Sequence, residues 1–132
     1  MACSLCFDEL EAELGITIGW RVRYDEDRTS HGKEKYGLVP QNPLLHPDGF
    51  EEALRTMWEY LGDWYHGFPP WHPKHETHVF RGKWGPALYK ESMDRMRLFR
   101  KQGFRVRYVW ESDWLAAKRA NGSAADVVRE LP

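Results

Sequence analysis

The sequence is poor in the features that mark membrane, secreted and fibrous proteins. Its 132 residues include only two cysteines, and it has no internal repeat or low-complexity tract. No apolar run approaches the roughly 18 residues that a membrane-spanning helix needs. Residues 1–4 have neither a basic start nor a long apolar stretch, so the sequence predicts no secretion signal. We therefore expect a soluble, intracellular protein that contacts no membrane.

The composition is that of a folded domain rather than a disordered chain. Hydrophobic residues make up 42% of the sequence and charged residues 30%, a balance typical of globular proteins. A chain of this length can bury about two-thirds of its unfolded surface, so we expect one domain over residues 1–132. Seven Trp, six Tyr and six Phe either pack in its core or serve a ligand or partner.

The net charge of −1 conceals an uneven distribution. Between Arg81 and Arg107, nine Lys and Arg residues stand against two acidic residues, Glu91 and Asp94. The rest of the chain carries ten basic and eighteen acidic residues. This polarity suits a protein with one face for a polyanion and another for cations. An ordinary solvated helix surface is the alternative explanation.

Hydrophobic periodicity predicts an α/β protein, in which a mixed β-sheet is flanked by helices. The helical pattern is clearest over residues 87–102, which end at Gly103. Residues 104–110 alternate apolar and polar side chains, as a half-buried strand does. The predicted elements, in chain order, are helix 4–14, strand 16–24, a polar turn or hairpin 25–37, strand end 49–52, strand 56–62, helix 87–102, strand 104–110 and helix 114–131.

Acidic residues and a histidine are closely spaced in the middle of the chain. Asp48 is followed by Glu59, then by Asp63 and His66. If Asp48 and Glu59 lie on neighbouring strands, their carboxylates can converge on one Mg²⁺, which takes one or two protein carboxylates and fills its shell with water and phosphate oxygens. His66 could then move a proton to or from a water or a leaving oxygen. The spacing alone is also compatible with chance.

Four sequence blocks follow one another between residues 47 and 114. They read PDGF (47–50), EYLGDWYHGFP (59–69), LYKESMDR (88–95) and GFRVRYVWESDW (103–114). In this order they resemble the DGY/DGF, EFxGDYWHGxP, LYxKTxxR and GYxVxxIWExDW blocks of very-short-patch-repair-like (Vsr-like) endonucleases. These enzymes belong to the PD-(D/E)xK superfamily. Each block is a weak signal by itself, whereas the ordered set is specific.

The resemblance implies a restriction-endonuclease-like core and a hydrolase that cuts DNA phosphodiester bonds with Mg²⁺ or Mn²⁺. Relatives of this kind act in mismatch-directed DNA repair, in homing and in the replication of mobile elements. Asp48 and Glu59 would bind the metal ion, and Asp63 would bind it too or orient His66. His66 would assist the water or the leaving group.

The resemblance also implies roles for residues outside this central stretch. Ser92 and Arg95 would face the scissile phosphate from their helix. Members of the family tend to place a glutamate of the first helix near the metal ion. Glu9 and Glu11 both fit this position, and the sequence does not distinguish between them. We take Glu11 as the candidate ligand. Glu34 resembles a glutamate found in some relatives.

The sequence departs from the family pattern at two points. The lysine of the superfamily would fall at Leu61, so its role passes to His66, Lys90 or Arg95, or is lost. The zinc-binding cysteines of the repair enzymes are also missing, so we expect no structural zinc of that type.

Basic and aromatic side chains are candidates for contacting DNA. Cations at helical spacing would contact backbone phosphates, and aromatic side chains next to His66 would stack on bases or wedge between them. The candidates are Lys90, Arg97, Arg100 and Lys101 for phosphates, and Trp64 and Tyr65 for bases. The chain is short enough for a freestanding enzyme or for a homodimer that cuts both strands.

Two other functions compete with the nuclease hypothesis. A nucleic-acid-binding module that keeps the fold without catalysis would explain Leu61 at the lysine position. A zinc protein could use Cys3 and Cys6 together with the histidines of the 72–78 segment, which are spaced HxxHxxH. Pro73 opposes the helix that this histidine spacing requires.

Overall fold

A computed structural model of the chain describes residues 2–24 and 27–132. Met1, Asp25 and Glu26 lie outside the described residues, and the last two begin the predicted polar hairpin. The helices are α1 (Ala2–Leu14), α2 (Asp63–His66), α3 (Gly85–Lys101) and α4 (Glu111–Arg119), with a 3₁₀ helix at Ala124–Val127. The strands are β1 (Arg23–Tyr24), β2 (Ser30–His31), β3 (Gly49–Glu51), β4 (Thr56–Leu61), β5 (Val79–Phe80), β6 (Lys83–Trp84), β7 (Arg105–Trp110) and β8 (Arg129–Glu130).

Four strands form a central mixed sheet in the order β3-β4-β7-β8. Strand β4 runs antiparallel to β3 and parallel to β7, and β8 pairs antiparallel with β7. Parallel neighbours need a long crossover connection, and helix α3 lies in the connection from β4 to β7. The structure therefore confirms the predicted α/β class with a mixed sheet and flanking helices.

Strand β4 is buried along its whole length and supplies side chains to both faces of the sheet. Because successive side chains of a strand point to opposite faces, Met57 and Leu61 pack with the apolar side of α3. Trp58 and Tyr60 point the other way and pack with α1. Glu59 shares the face of Met57 and Leu61, so its carboxyl lies on the α3 side of the sheet.

Helix α3 agrees closely with its predicted bounds. Its apolar side is buried through Leu88, Met93, Met96 and Phe99, as the helical spacing indicated. Pro86 stands in its first turn, where the missing N–H of proline costs nothing. Beyond the helix, a glycine with φ of 90° at position 103 leads the chain into β7.

The predicted strand 16–24 is wrong except at its end. Only Arg23 and Tyr24 form a strand, and Gly19 makes an isolated bridge to Phe50. The backbone at Trp20 has a φ of +50°, which interrupts an extended chain. Just beyond it, the guanidinium of Arg21 turns inward to bond groups of α1.

The predicted helix 114–131 is also corrected. Helix α4 begins three residues earlier and ends at Arg119, because Asn121 turns the backbone to a φ of 55°. Ser123 and Asp126 then form a capping box that starts the 3₁₀ helix, and the chain finishes in strand β8. None of the helices in the described ranges has the length and apolarity of a membrane span.

Candidate active site

Two carboxyl groups lie side by side where the chain enters β3. The β3–β4 register pairs Gly49 with Trp58, so one further step sets Asp48 opposite Glu59. The Oδ2 atom of Asp48 accepts a hydrogen bond of 2.8 Å from the backbone N–H of Tyr60, which fixes its carboxylate beside β4. Asp48 therefore lies at the entry to β3 and Glu59 lies in the neighbouring β4, as the family resemblance implied.

The Glu59 carboxyl is buried, with 1% of the residue exposed. Burial raises the pKa of Glu59 well above its ordinary value, and the neighbouring charge of Asp48 raises it further. A hydrogen bond between the Glu59 and Asp48 side chains acts in the same direction, while Arg95 opposes it. The pair thus favours a shared proton, or another cation, over two bare negative charges.

Arg95 brings a positive charge from α3 to this pair. Its Nη1 donates to Oε1 of Glu59, and its Nη2 donates to the backbone carbonyl of His46. The Arg95 side chain is partly exposed, whereas the Glu59 side chain is not. One guanidinium therefore links the buried carboxyl to the surface of the site.

His66 is held against α3 by a buried serine. Its Nδ1 lies 3.0 Å from Oγ of Ser92, and Ser92 is only 7% exposed. Gly67 permits this approach, because its φ is +71° and an added Cβ would lie 2.3 Å from the carbonyl oxygen of Gly85. Ser92 was expected to face the phosphate, but the structure instead sets its hydroxyl against His66.

The surroundings of His66 connect it to the carboxyl pair. Burial lowers the pKa of His66, the negative charge of Asp48 raises it, and the positive charge of Arg95 lowers it. Because burial has the largest effect, the neutral imidazole is favoured near neutral pH. Asp48, Glu59 and Arg95 therefore act electrostatically on the His66–Ser92 pair or on each other, and we call these five residues the carboxyl site.

Two residues beside this group, Cys3 and His46, were not predicted for the nuclease site, and the sequence had suggested Cys3 only for the alternative zinc site. Both line a small cavity of about 140 Å³ with Asp48 and the predicted Glu34. Burial raises the pKa of the Cys3 thiol, and the charges of Asp48 and Glu59 add to this effect. Cys3 is therefore a neutral thiol in the wall of the site, since both causes disfavour the thiolate.

Asp63 has a structural partner outside the carboxyl site. Its Oδ1 accepts a hydrogen bond of 2.9 Å from the hydroxyl of Ser112. Burial raises the pKa of Asp63, although the hydrogen bond from Ser112 lowers it. Asp63 is therefore bonded to the first turn of α4, whereas the sequence had suggested that it binds the metal ion or orients His66.

The two candidate glutamates of α1 also have other partners. Glu11 accepts hydrogen bonds from the backbone N–H of Ile18 and from Arg21, both of 2.8 Å. Glu9 accepts from the indole of Trp114 and from Lys118. The predicted metal ligand Glu11 is therefore engaged in holding Arg21, and neither glutamate is bonded to the carboxyl site.

The three histidines of the 72–78 segment stabilise their own loop. His72 accepts the backbone N–H of Lys74, and the rings of His75 and His78 bond the backbone carbonyls of Phe68 and Trp64. Within residues 2–24 and 27–132, no group of three or more His, Cys, Asp or Glu side chains is arranged to hold a metal ion. The histidine and cysteine pattern thus gains no support as a zinc site.

The predicted DNA contacts fall into two sets. Lys90 and Arg97 both pair with Asp94, so part of their charge is neutralised. Arg100 and Lys101 are exposed and make no ion pair with the described residues. The positive charge at the last turn of α3 is therefore less neutralised by ion pairs than the charge of Lys90 and Arg97.

Exposed aromatic rings lie next to His66. Trp64 is 55% exposed and Tyr65 is 64% exposed, and both rings pack edge-on against Phe80 of β5. Arg81 covers the Phe80 ring at 5.2 Å from its centroid. The β5–β6 hairpin, which the sequence did not predict, thus holds the two rings at the surface.

The chain matches no family model, no curated protein and no solved structure.

Proposed function

We propose that this protein is a metal-dependent DNA endonuclease with a restriction-endonuclease-like core. The observation that carries the proposal is the Asp48–Glu59 pair, set on neighbouring strands with Arg95 and His66 beside it. The ordered motifs between residues 47 and 114 support the same function, since the residues of the carboxyl site all lie within them.

The donor set of the carboxyl site suits a hard divalent cation. Mg²⁺ binds through one or two carboxylates and keeps several waters, so Asp48 and Glu59 are sufficient protein ligands. A bound Mg²⁺ or Mn²⁺ would lower the pKa of a water and neutralise charge on the phosphate. A cation would also relieve the repulsion between the two carboxyl groups, which Arg95 relieves only in part.

His66 and Arg95 supply the remaining functions of the site. A neutral imidazole can accept a proton from the attacking water and return it to the leaving oxygen. Arg95 contributes the positive charge that a superfamily lysine would bring, because Leu61 is buried in the core and Lys90 pairs with Asp94. A guanidinium that is partly exposed can also donate to a phosphate oxygen.

DNA would be bound by charge and by stacking. Arg100 and Lys101 would contact backbone phosphates, which gives affinity that falls with salt. Trp64 and Tyr65 would stack on bases, since their rings are exposed and held by Phe80. Both sets of contacts are largely independent of base sequence.

One observation favours a second candidate, a nucleic-acid-binding module without catalysis. Arg95 already neutralises Glu59 by a direct ion pair, so the site is electrically satisfied without a metal ion. In this case Asp48 and Glu59 would be structural, and the exposed cations and aromatic rings would bind nucleic acid. Divalent-metal binding distinguishes the two functions.

Cleavage of labelled plasmid and branched DNA tests the proposal. We expect nicking or cutting with Mg²⁺ or Mn²⁺ that EDTA abolishes. Asp48→Asn should reduce it to the EDTA level while leaving DNA binding intact. Glu76→Gln, which changes an exposed carboxylate of the 72–78 loop, is the matched control and should cleave like the wild type. Salt-sensitive binding without cleavage of any substrate would favour the binding module.

A further inference from the structure

The hydroxyl of Ser92 has three polar neighbours and only one proton to donate. Its Oγ lies 3.1 Å from the carbonyl oxygen of Leu88, 3.3 Å from the carbonyl oxygen of His66 and 3.0 Å from Nδ1 of the His66 ring. The two carbonyl oxygens can only accept hydrogen bonds, whereas a ring nitrogen can donate or accept according to its tautomer.

The number of hydrogen bonds that Ser92 can make favours one of the two neutral His66 tautomers, which carry the proton on Nδ1 or on Nε2. If the Ser92 proton pointed to Nδ1, the lone pairs of Oγ would face two carbonyl oxygens, and one hydrogen bond would be made. If the proton points to a carbonyl oxygen, Oγ can accept a second hydrogen bond from Nδ1–H. Since Ser92 is buried and unmade hydrogen bonds there are costly, the second arrangement is favoured.

The other ring nitrogen is left without a protein partner. Among the described residues, His66 makes side-chain hydrogen bonds only through Nδ1. We propose that Ser92 is a positioning residue, which holds neutral His66 with its proton on Nδ1 and so makes Nε2 the proton acceptor of the carboxyl site. The tautomer follows from Ser92 alone, whereas its use in catalysis rests on the proposed function.

The assigned tautomer fixes the direction of proton transfer. Nε2 takes a proton from a water molecule as the water oxygen forms a bond to phosphorus. The bond from phosphorus to the leaving oxygen breaks, and that oxygen then receives the proton from Nε2. The Nδ1–H bond to Ser92 is kept throughout, because Nδ1 carries a proton both in this neutral tautomer and in the charged imidazolium.

Nitrogen NMR of the metal-free protein tests the assignment without any need for activity. The two nitrogens of a neutral imidazole differ strongly in ¹⁵N chemical shift according to which one carries the proton. At about pH 8, where imidazole is neutral, we expect His66 of the wild type to carry its proton on Nδ1. A wild-type spectrum with the proton on Nε2 would overturn the proposal.

Three variants separate positioning from a general effect on the fold. Ser92→Ala removes the acceptor and should shift His66 toward the Nε2–H tautomer, whereas Ser92→Thr keeps a hydroxyl and should restore Nδ1–H. Ser112→Ala, which removes a hydroxyl that bonds Asp63, should leave the His66 spectrum unchanged. An unaltered tautomer in folded Ser92→Ala contradicts the proposal, and if that variant does not fold, the wild type and Ser92→Thr decide.

Cleavage kinetics then test the catalytic consequence. Loss of the correct tautomer should lower kcat about 10-fold to 100-fold in Ser92→Ala, with recovery in Ser92→Thr. An Nδ1–H tautomer in a protein that cleaves no DNA would refute the nuclease function while leaving the role of Ser92 in place. Cleavage by a protein whose His66 carries its proton on Nε2 would support the nuclease function and refute the role of Ser92.

Discussion

Replacing Glu59 by glutamine should stabilise the metal-free protein at neutral pH. Folding raises the pKa of Glu59 above its ordinary value of 4.5, so the folded state holds the proton more tightly than the unfolded chain. The free energy of unfolding of the wild type therefore falls as pH rises from 4.5 to the folded pKa, and stays lower above it. Glutamine has the shape of the protonated acid and does not lose this stability.

The size of the gain follows from the burial of the site. A buried polar group with unfavourable electrostatics costs on the order of 1–3 kcal/mol, and the glutamine of the variant can still accept from Arg95 and donate to Asp48. For a chain of this length, the gain corresponds to about 3 to 10 °C in Tm. The difference should vanish at pH values below the ordinary pKa of glutamate, where the wild-type carboxyl is protonated in both states.

Thermal and urea denaturation in EDTA over a pH series measure this difference. Glu76→Gln is the control, since its carboxylate is exposed, and its stability should follow that of the wild type. Mg²⁺ at about 100 times its Kd should stabilise the wild type by about 2.7 kcal/mol and Glu59→Gln hardly at all. A Glu59→Gln protein less stable at neutral pH, or a difference independent of pH, would refute the reasoning.

Three further predictions follow from the same contacts. Burial lowers the pKa of His66. In a pH–rate profile, kcat/KM for cleavage should therefore fall on the acid side with an apparent pKa below the ordinary imidazole value of 6.5. An apparent pKa above 6.5 would argue against His66 as the base. Asp63→Ala should lose the hydrogen bond from Ser112 and cost about 0.5–1.5 kcal/mol in urea denaturation without changing Mn²⁺ affinity. A large loss of affinity would instead show that Asp63 belongs to the metal site. The double variant Arg100→Ala/Lys101→Ala should reduce the slope of log K against log salt for duplex binding by about 2, whereas the control Lys118→Ala should leave the slope unchanged. Equal slopes for all proteins would mean that DNA does not bind at the last turn of α3.

The elements that could be predicted are those governed by local periodicity. Strands β4 and β7 and helix α3 carry dense apolar patterns, and their burial in the structure agrees with those patterns. The strand predicted at 16–24 alternates just as regularly, yet Trp20 turns the chain and Arg21 pairs with acids of α1. Alternation cannot show that a basic side chain will turn inward to pair with acids of the preceding helix.

In the carboxyl site, too, only part of the arrangement could be predicted from the sequence. The family resemblance placed Asp48 at the start of a strand and Glu59 on the next strand, and the register sets them opposite each other. The partners of Asp63 and Arg95 could not be read in this way, because Ser112 and His46 lie 49 residues away from them in the chain. Contacts of that range depend on how β4, α3 and α4 pack, which no local pattern records.

Titration with Mn²⁺, followed by the electron paramagnetic resonance signal of the free ion, tests the central claim most directly. We expect the wild type and Glu76→Gln to bind Mn²⁺ at a site that Mg²⁺ competes for. Asp48→Asn and Glu59→Gln should each lose that site while remaining folded. Equal binding by all four proteins would place the metal elsewhere, and no binding by the wild type would contradict a metal-dependent nuclease centred on Asp48 and Glu59.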